Sequence, residues 1–218
     1  SQRPSQLSLM LSVKEIYFTL QGEGFHTGRP SVFLRFSGCN LWSGHEKDQE
    51  KAICNWCDTD FVGNNGINGG NYSNNEIINI IKKLWPAGES SIPFIVFTGG
   101  EPLLQLKKEL IELIHSIGFE IGIETNGTIL APSGINWVCV SPKAYSNFIL
   151  KKGNELKVVF PQEGIDPLDF KDLEFEHFYI QPMDGKDQKY NIKESKKFIK
   201  RNPLWKLSLQ THKTLGIP

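Results

Sequence analysis

The sequence predicts an α/β fold, an open or partial (β/α) barrel of mostly parallel strands. Short apolar runs recur along the chain, with amphipathic helical patterns between some of them. That alternation is expected of a parallel sheet covered by crossover helices. About seven strand-like runs outnumber the good helices, which falls short of a complete eight-fold barrel. Polar, glycine-containing segments follow the runs, at the strand ends where such folds carry their chemistry.

The elements follow in order. Ser31–Phe36 (SVFLRF) reads as a strand. The stretch from Gly63 to Asn75 is dense in Asn and Gly and reads as loop. Glu76–Trp85 reads as a helix with Ile77, Ile78, Ile81, Leu84 and Trp85 on one face, and Ser73 with Glu76 makes a capping box. Pro93–Thr98 (PFIVFT) is a strand. Leu103–Ile117 is a helix with Leu106, Leu110, Leu113, Ile114 and Ile117 along one stripe and Gly118 as its stop. Phe119–Glu124, Trp137–Val140, Leu156–Phe160, Phe178–Gln181 and Lys206–Leu209 are further short strands. A last helix runs over about Ile192–Arg201, opened by Asn191 with Glu194 and closed before Pro203. Residues 1–9, rich in Ser and Gln, are expected to be a disordered tip or vector remnant, and residues 10–218 a single domain.

At 218 residues the chain is long enough to bury a core without disulfide staples. Lys and Arg number 24, and so do Asp and Glu. A zero net charge argues against a nucleic-acid binder, which needs net basicity. With 39% hydrophobic residues and a mean hydropathy of −0.29, the chain is too polar for a membrane protein. No apolar stretch approaches the roughly 20 residues that span a bilayer. No secretory leader opens it, so a cytoplasmic protein is expected.

Cysteine is used unevenly. Cys39, Cys54 and Cys57 crowd together, while Cys139 sits alone in the apolar run WVCV, where a buried cysteine is ordinarily a small hydrophobe. Cys54-x-x-Cys57 aims two thiolates at one point. A zinc ion closed by Cys39, Cys54, Cys57 and His45 satisfies this pattern. So does an iron–sulfur cluster, where three thiolates leave one iron open for catalysis. Spacing alone does not choose between them.

The strand ends carry Gly99-Gly100-Glu101, Glu124-Thr125-Asn126, Ser141-Pro142-Lys143, Gln181-Pro182-Met183-Asp184 and Gln210-Thr211-His212. Together with YFTLQGEG, GRPSVFLRFSGCNLW, CNWCDTDFVG, FTGGEP, ETNGT, VSPK and YIQPMDG, taken in order, they are spread over nearly the whole span of Val13–Pro218. In these segments the chain resembles the radical S-adenosylmethionine enzymes, and among them the 7-carboxy-7-deazaguanine synthases. Most of that superfamily carries CxxxCxxC; the expanded first spacing Cys39-x14-Cys54 matches this subgroup.

The resemblance implies a partial (β/α) barrel of the radical-SAM type. It implies that Cys39, Cys54 and Cys57 hold a [4Fe–4S] cluster whose open iron chelates S-adenosylmethionine, cleaved by one electron to a 5′-deoxyadenosyl radical. Trp56, Asp58, Gly100, Glu101, Ser141, Pro142, Lys143, Gln181, Pro182, Met183 and Asp184 then fall on segments that line this cofactor. The glycines of Gly99-Gly100-Glu101-Pro102 would let the backbone approach it closely; the same four residues also read as a strand-to-helix turn with Pro102 opening a helix.

The implied substrate is 6-carboxy-5,6,7,8-tetrahydropterin and the product 7-carboxy-7-deazaguanine, formed with loss of ammonia. Arg35 is the expected partner of the substrate carboxylate, since guanidinium grips carboxylates through parallel bonds. Leu20, Gln21, Gly22, Glu23 and Thr98 are expected around the ring. Thr59 is expected on a magnesium ion bridging to the substrate. At the end of the sequence, the α-carboxylate of Pro218 is expected to accept the pterin's adjacent N–H and amino group, with His212 as a further contact. A homodimer and an electron donor such as flavodoxin or ferredoxin are implied too. The rival readings are another small radical-SAM enzyme, such as a protein-radical activase, and a Cys3His zinc-binding interaction module.

Overall fold

Residues 10–88 and 90–218 are described by the computed structural model of the chain; the expectation for residues 1–9 lies outside them. Strand β1 (Leu11–Leu20) pairs antiparallel with β2 (Pro30–Phe36) on one side and with the short β3 (Gly70–Tyr72) on the other. From β2 onward the sheet is parallel, through β4 (Phe94–Gly99), β5 (Glu120–Thr125), β6 (Trp137–Val140), β7 (Lys152–Phe160), β8 (Glu174–Pro182) and β9 (Trp205–Leu207). The strand order is β3-β1-β2-β4-β5-β6-β7-β8-β9, and the sheet is not closed. The predicted α/β class with a mostly parallel, partial barrel is what the chain forms.

Within each strand, side chains alternate between two faces. Val32, Leu34 and Phe36 of β2, Ile95 and Phe97 of β4, and Ile121 and Ile123 of β5 are buried together under helices α1 (Asn74–Leu84) and α2 (Lys108–Ser116). Leu156 and Val158 of β7, Phe178 and Ile180 of β8 and Trp205 form a second core, against which Phe198 and Ile199 of α3 (Gln188–Arg201) pack. The intervening positions face the inside of the curved sheet. There Tyr17, Phe33, Phe94 and Val96 make a small apolar cluster. Arg35, Thr98, Glu124, Cys139, Lys157 and Gln181, also at intervening positions, line a cavity. The inner face is therefore polar because of a two-residue period inside runs that look continuously apolar.

The capping box at α1 is formed: Ser73 Oγ accepts the Glu76 N–H, and the Glu76 carboxylate accepts the Ser73 N–H at 2.8 Å. Two helix expectations need correction. The single helix over Leu103–Ile117 is broken into a 3-10 turn, Pro102–Leu104, and α2. At the break the Gln105 amide leaves the helix path. It accepts from Ser12 N at 2.8 Å and donates to Ser12 O at 3.1 Å and Ser37 O at 2.9 Å. These bonds knit the break to β1 and β2. The last helix starts earlier than expected, at Gln188, and Asn191 does not cap it. Asn191 is buried inside the helix and donates to Met183 O at 2.9 Å, tying α3 to the turn after β8. Strand β1, the short β3 and helix α4 (Thr211–Leu215) were not expected as elements.

Candidate active site

A cavity of about 380 Å³ opens at the carboxyl ends of the parallel strands, within the size range of small-molecule sites. Cys39, Cys54 and Cys57 all line it, from the long loop between β2 and β3. All are free thiols. The hydrogen bond between Cys54 and Cys57 pulls the Cys57 thiol down to about 6 and pushes that of Cys54 up, with burial adding to the rise. Among the described residues no three His, Cys, Asp or Glu converge as ligands of a single ion. His45 is exposed and outside the cavity, so the structure does not bring together the Cys3His zinc set.

Gly100 explains how the cysteine loop reaches the sheet. A Cβ there would lie 2.3 Å from Gly38 O and 2.6 Å from Cys39 Cβ. The missing side chain thus makes room for the loop that carries Cys39. Gly100 also lines the cavity. Glu101, next in sequence, is fully buried and lies outside the cavity lining. Its carboxylate accepts from Leu103 N at 3.0 Å, Thr125 Oγ1 at 2.8 Å and Asn126 N at 2.8 Å. It braces the wall from behind. Pro142, Pro182, Met183 and Asp184 also fall outside the lining, whereas Ser141, Lys143 and Gln181 belong to it.

Trp56, Asp58 and Thr59 line the cavity beside the cysteines. Lys143 donates to Ser141 O at 2.8 Å and Ser141 Oγ at 2.7 Å and lies 5.5 Å from the centre of the Trp56 ring. Burial lowers its pKa, against which Cys54 and Cys57 act. On the opposite side, Arg35 Nε donates to Glu15 at 2.9 Å and faces Thr98 across the β2–β4 ladder. Leu20, at the end of β1, and Gln21, Gly22 and Glu23 of the β1–β2 turn reach the same cavity, as do His212 and Pro218. His212 packs on Gly22, where a Cβ would lie 2.1 Å from its ring nitrogen. The Pro218 carbonyl oxygen accepts the Thr19 hydroxyl at 2.9 Å.

Sequence reasoning missed the charged floor. Lys157 pairs with Glu23 and lies 3.7 Å from Glu124. It also missed Lys213, which joins Asp58 at 2.6 Å to Asp184 at 2.5 Å across the mouth. A lysine inside the apolar strand ELKVVF was the available signal. Cys139 is buried as expected, and it also lines the cavity floor, among Glu155, Lys157, Glu124 and Glu23.

Comparison with known proteins agrees with this geometry. The Radical SAM superfamily model matches residues 51–160, a span that includes Cys54 and Cys57 and begins after Cys39. The chain is 52% identical over 208 residues to the 7-carboxy-7-deazaguanine synthase of Burkholderia multivorans, covering 95% of this chain and 99% of that one. It is 53% identical over 207 residues to the enzyme of that name from Bradyrhizobium diazoefficiens, covering 94% and 98%. The crystal structure of QueE from Escherichia coli superposes with a TM-score of 0.66 at 24% identity, covering 92% of this chain and 93% of that one, a likeness of fold. With identities of this order over nearly its full length, the chain belongs to the 7-carboxy-7-deazaguanine synthase family of radical S-adenosylmethionine enzymes.

Proposed function

We propose that the cavity converts 6-carboxy-5,6,7,8-tetrahydropterin to 7-carboxy-7-deazaguanine with loss of ammonia, a carbon–nitrogen lyase step in 7-deazapurine (queuosine) biosynthesis. One observation carries this reading. Three free cysteines and a set of groups suited to a carboxylated heterocycle share a single cavity at the strand ends.

Cys39, Cys54 and Cys57 would hold a [4Fe–4S] cluster. The donor set fits: a four-iron cluster takes thiolates held apart around a cube, and three of them leave one iron open. With S-adenosylmethionine bound there, the cluster supplies the one-electron cleavage that starts the radical ring contraction. The chain's own residues aim and enclose. Trp56, Asp58, Gly100, Ser141 and Gln181 line the space beside the cysteines. Lys143 places a cation there for the carboxylate of the cofactor. Glu101, Pro142, Pro182, Met183 and Asp184 act from behind or beside this wall.

Arg35 spends one N–H on Glu15, and its remaining N–H groups suit the substrate carboxylate. Gln21, Glu23 and Thr98 offer hydrogen bonds to the ring, with Leu20 and Gly22 beside them. His212 and a carboxyl oxygen of Pro218 meet its donor edge. Thr59 would contribute a hard oxygen to a magnesium ion, which would supply positive charge beside the substrate. The protein acts as a cytoplasmic homodimer served by an electron donor such as flavodoxin or ferredoxin; no helix among the described residues is long and apolar enough to cross a membrane.

Anaerobic reconstitution followed by product analysis tests the reading. About four iron and four sulfide per chain are expected, with 7-carboxy-7-deazaguanine formed from the carboxytetrahydropterin. A reconstituted protein that cleaves S-adenosylmethionine yet leaves the pterin unchanged would overturn the substrate assignment.

A further inference from the structure

We propose that Lys157 is a positioning residue for substrate recognition: it fixes Glu23 and Glu124 as hydrogen-bond acceptors for the donor-rich edge of the heterocycle. This rests on the pterin reading above and names what that site recognises.

The geometry is a closed ring. Lys157 Nζ is ion-paired with Glu23 and lies 3.7 Å from Glu124 Oε1. Gln21 Nε2 donates to the same Glu124 oxygen at 3.1 Å. Gln21 Oε1 accepts the Glu23 backbone N–H at 3.1 Å, which closes the loop. Gln210 Nε2 donates to the other Glu23 oxygen at 3.0 Å. All five residues line the cavity. They come from β7, β5, the β1–β2 turn and the segment before α4, so the ring ties four parts of the chain to one point.

The charge count gives the ring its purpose. Two carboxyl groups meet one ammonium, leaving an excess of acceptors aimed into the cavity. Lys157 itself has no acceptor capacity and its side chain is only 5% exposed. It therefore acts through the two glutamates. A reduced pterin presents several N–H groups and an amino group, and acceptors held at fixed positions favour it over a ligand whose edge is made of acceptors.

A fixed acceptor must also stay deprotonated. Burial works to raise the Glu23 pKa; the charge and hydrogen bond of Lys157, joined by the Gln210 hydrogen bond and His212, outweigh it, so the net shift is downward. The other charged or titratable groups around the pair are Glu124 of β5, Cys139 of β6, Glu155 of β7, Lys143 of the β6–β7 connection and His212. Glu155 is held separately, accepting from Phe25 N at 3.2 Å and Trp137 Nε1 at 3.3 Å. Without Lys157, burial of Glu23 goes unopposed by an ammonium, and its carboxyl takes up a proton at higher pH.

The test is anaerobic binding of pterin-6-carboxylate to the holoenzyme, followed by fluorescence across weakly acid to weakly alkaline pH. Lys157→Gln is expected to weaken binding roughly tenfold or more, and to make affinity rise with pH where the wild type is flat. KM for the carboxytetrahydropterin should rise in step, with kcat much less changed. Lys157→Arg, which keeps the cation, should restore most of the affinity. A merely structural role would lower the melting temperature and leave the pH profile alone. His212 is common to all the proteins, so the comparison is between their profiles. A folded Lys157→Gln protein with wild-type affinity and a wild-type profile overturns the proposal. Should that variant fail to fold, Lys157→Arg is compared with the double variant Lys157→Met/Glu23→Gln, which leaves no lone charge at that pair. Arginine should retain binding and the double variant lose roughly tenfold; a double variant that binds like the wild type overturns it. Wild-type product formation, measured alongside, reports separately on the pterin reading.

Discussion

Replacing Glu101 distinguishes a brace of the cavity wall from a cofactor ligand. Its carboxylate is fully buried and accepts three protein donors, Leu103 N at 3.0 Å, Thr125 Oγ1 at 2.8 Å and Asn126 N at 2.8 Å. Glu101→Ala removes the acceptor from all of them. At about 1–3 kcal/mol for each unsatisfied buried group, less what an entering water recovers, the loss is about 3–6 kcal/mol. Set against a total stability of about 5–15 kcal/mol, that leaves little margin. Glu101→Gln is the sharper probe. Its amide oxygen can serve Leu103 and Thr125, but its NH2 then opposes the Asn126 N–H, a cost of about 2 kcal/mol. For a chain of this length that lowers the melting temperature by roughly 4–8 °C. Thermal unfolding followed by circular dichroism under anaerobic conditions reads this directly. S-adenosylmethionine affinity, measured on the same protein, should change little by comparison. Some loss is expected, because Asn126 Nδ2 holds Asn40 at 3.0 Å, next to Cys39. An unchanged melting temperature with affinity down roughly tenfold would refute the reasoning and make Glu101 a ligand.

Replacing Cys39, Cys54 or Cys57 by Ala should abolish cluster assembly, read as iron and sulfide content and visible absorption. Cys139→Ala should keep the cluster and cost about 1 kcal/mol or less for a small cavity. Thr59→Ala should also keep the cluster but lose the magnesium stimulation of turnover; equal titrations in the two proteins would remove Thr59 from the metal. Lys213→Ala should release the mouth, seen as faster amide exchange over residues 210–215. Because the ion pairs it removes are partly exposed and so screened by water, the stability change should stay at about 1 kcal/mol or less. Burial opposes ionisation of Asp58, but the Lys213 and Gln210 hydrogen bonds outweigh it, and the Lys213 hydrogen bond lowers Asp184 directly. Both folded pKa values thus lie below the unfolded value of about 3.9. The contribution is present above that value and is lost as pH falls through the folded ones. Protection over this segment in the wild type, with the intrinsic pH dependence of amide exchange divided out, should fall in acid, while that of the variant should change little.

What was legible in the sequence follows from which physical signal each residue carries. The outward faces of β2, β4 and β5 and the capped helix α1 could be read because apolar spacing and a Ser–Glu box are local. The break at Gln105 could not, because its amide is satisfied by Ser12 and Ser37, far away in the chain. Asn191 misled for the same reason: an Asn before an apolar stripe reads as a cap, but its partner is Met183 O, supplied by a turn. The cysteine set and the QGE turn were visible as motifs. Glu124 was read only as part of the strand end Glu124-Thr125-Asn126, and Lys157 was not singled out, although it interrupts an apolar strand, where a charge must face either solvent or a polar interior. The resemblance named segments such as SPK and QPMD whole, and only the structure separates Ser141, Lys143 and Gln181, on the cavity, from Pro142, Pro182, Met183 and Asp184, outside its lining.

The segment from Gln210 to Pro218 links the two halves of the cavity. None of its residues is buried, so it adds little to either core. Its contacts are polar, and each goes to a residue that matters elsewhere. Thr211 donates from both N–H and hydroxyl to Gly22 O at 2.9 Å. Gln210 joins Glu23 to Asp58, at 3.0 and 3.2 Å. Lys213 joins Asp58 to Asp184, and Thr19 holds Pro218. A hydrogen-bonded path therefore runs from Lys157 on the floor through Glu23, Gln210, Asp58 and Lys213 to Asp184 at the mouth. Exposed polar contacts are individually weak, and segments held by them open at low cost. This part of the wall is therefore the one expected to open at lowest cost. Because Gly22, Glu23 and Asp58 share its contacts, losing them would release the turn that carries Gln21 to Glu23 and the loop that carries Cys57 together.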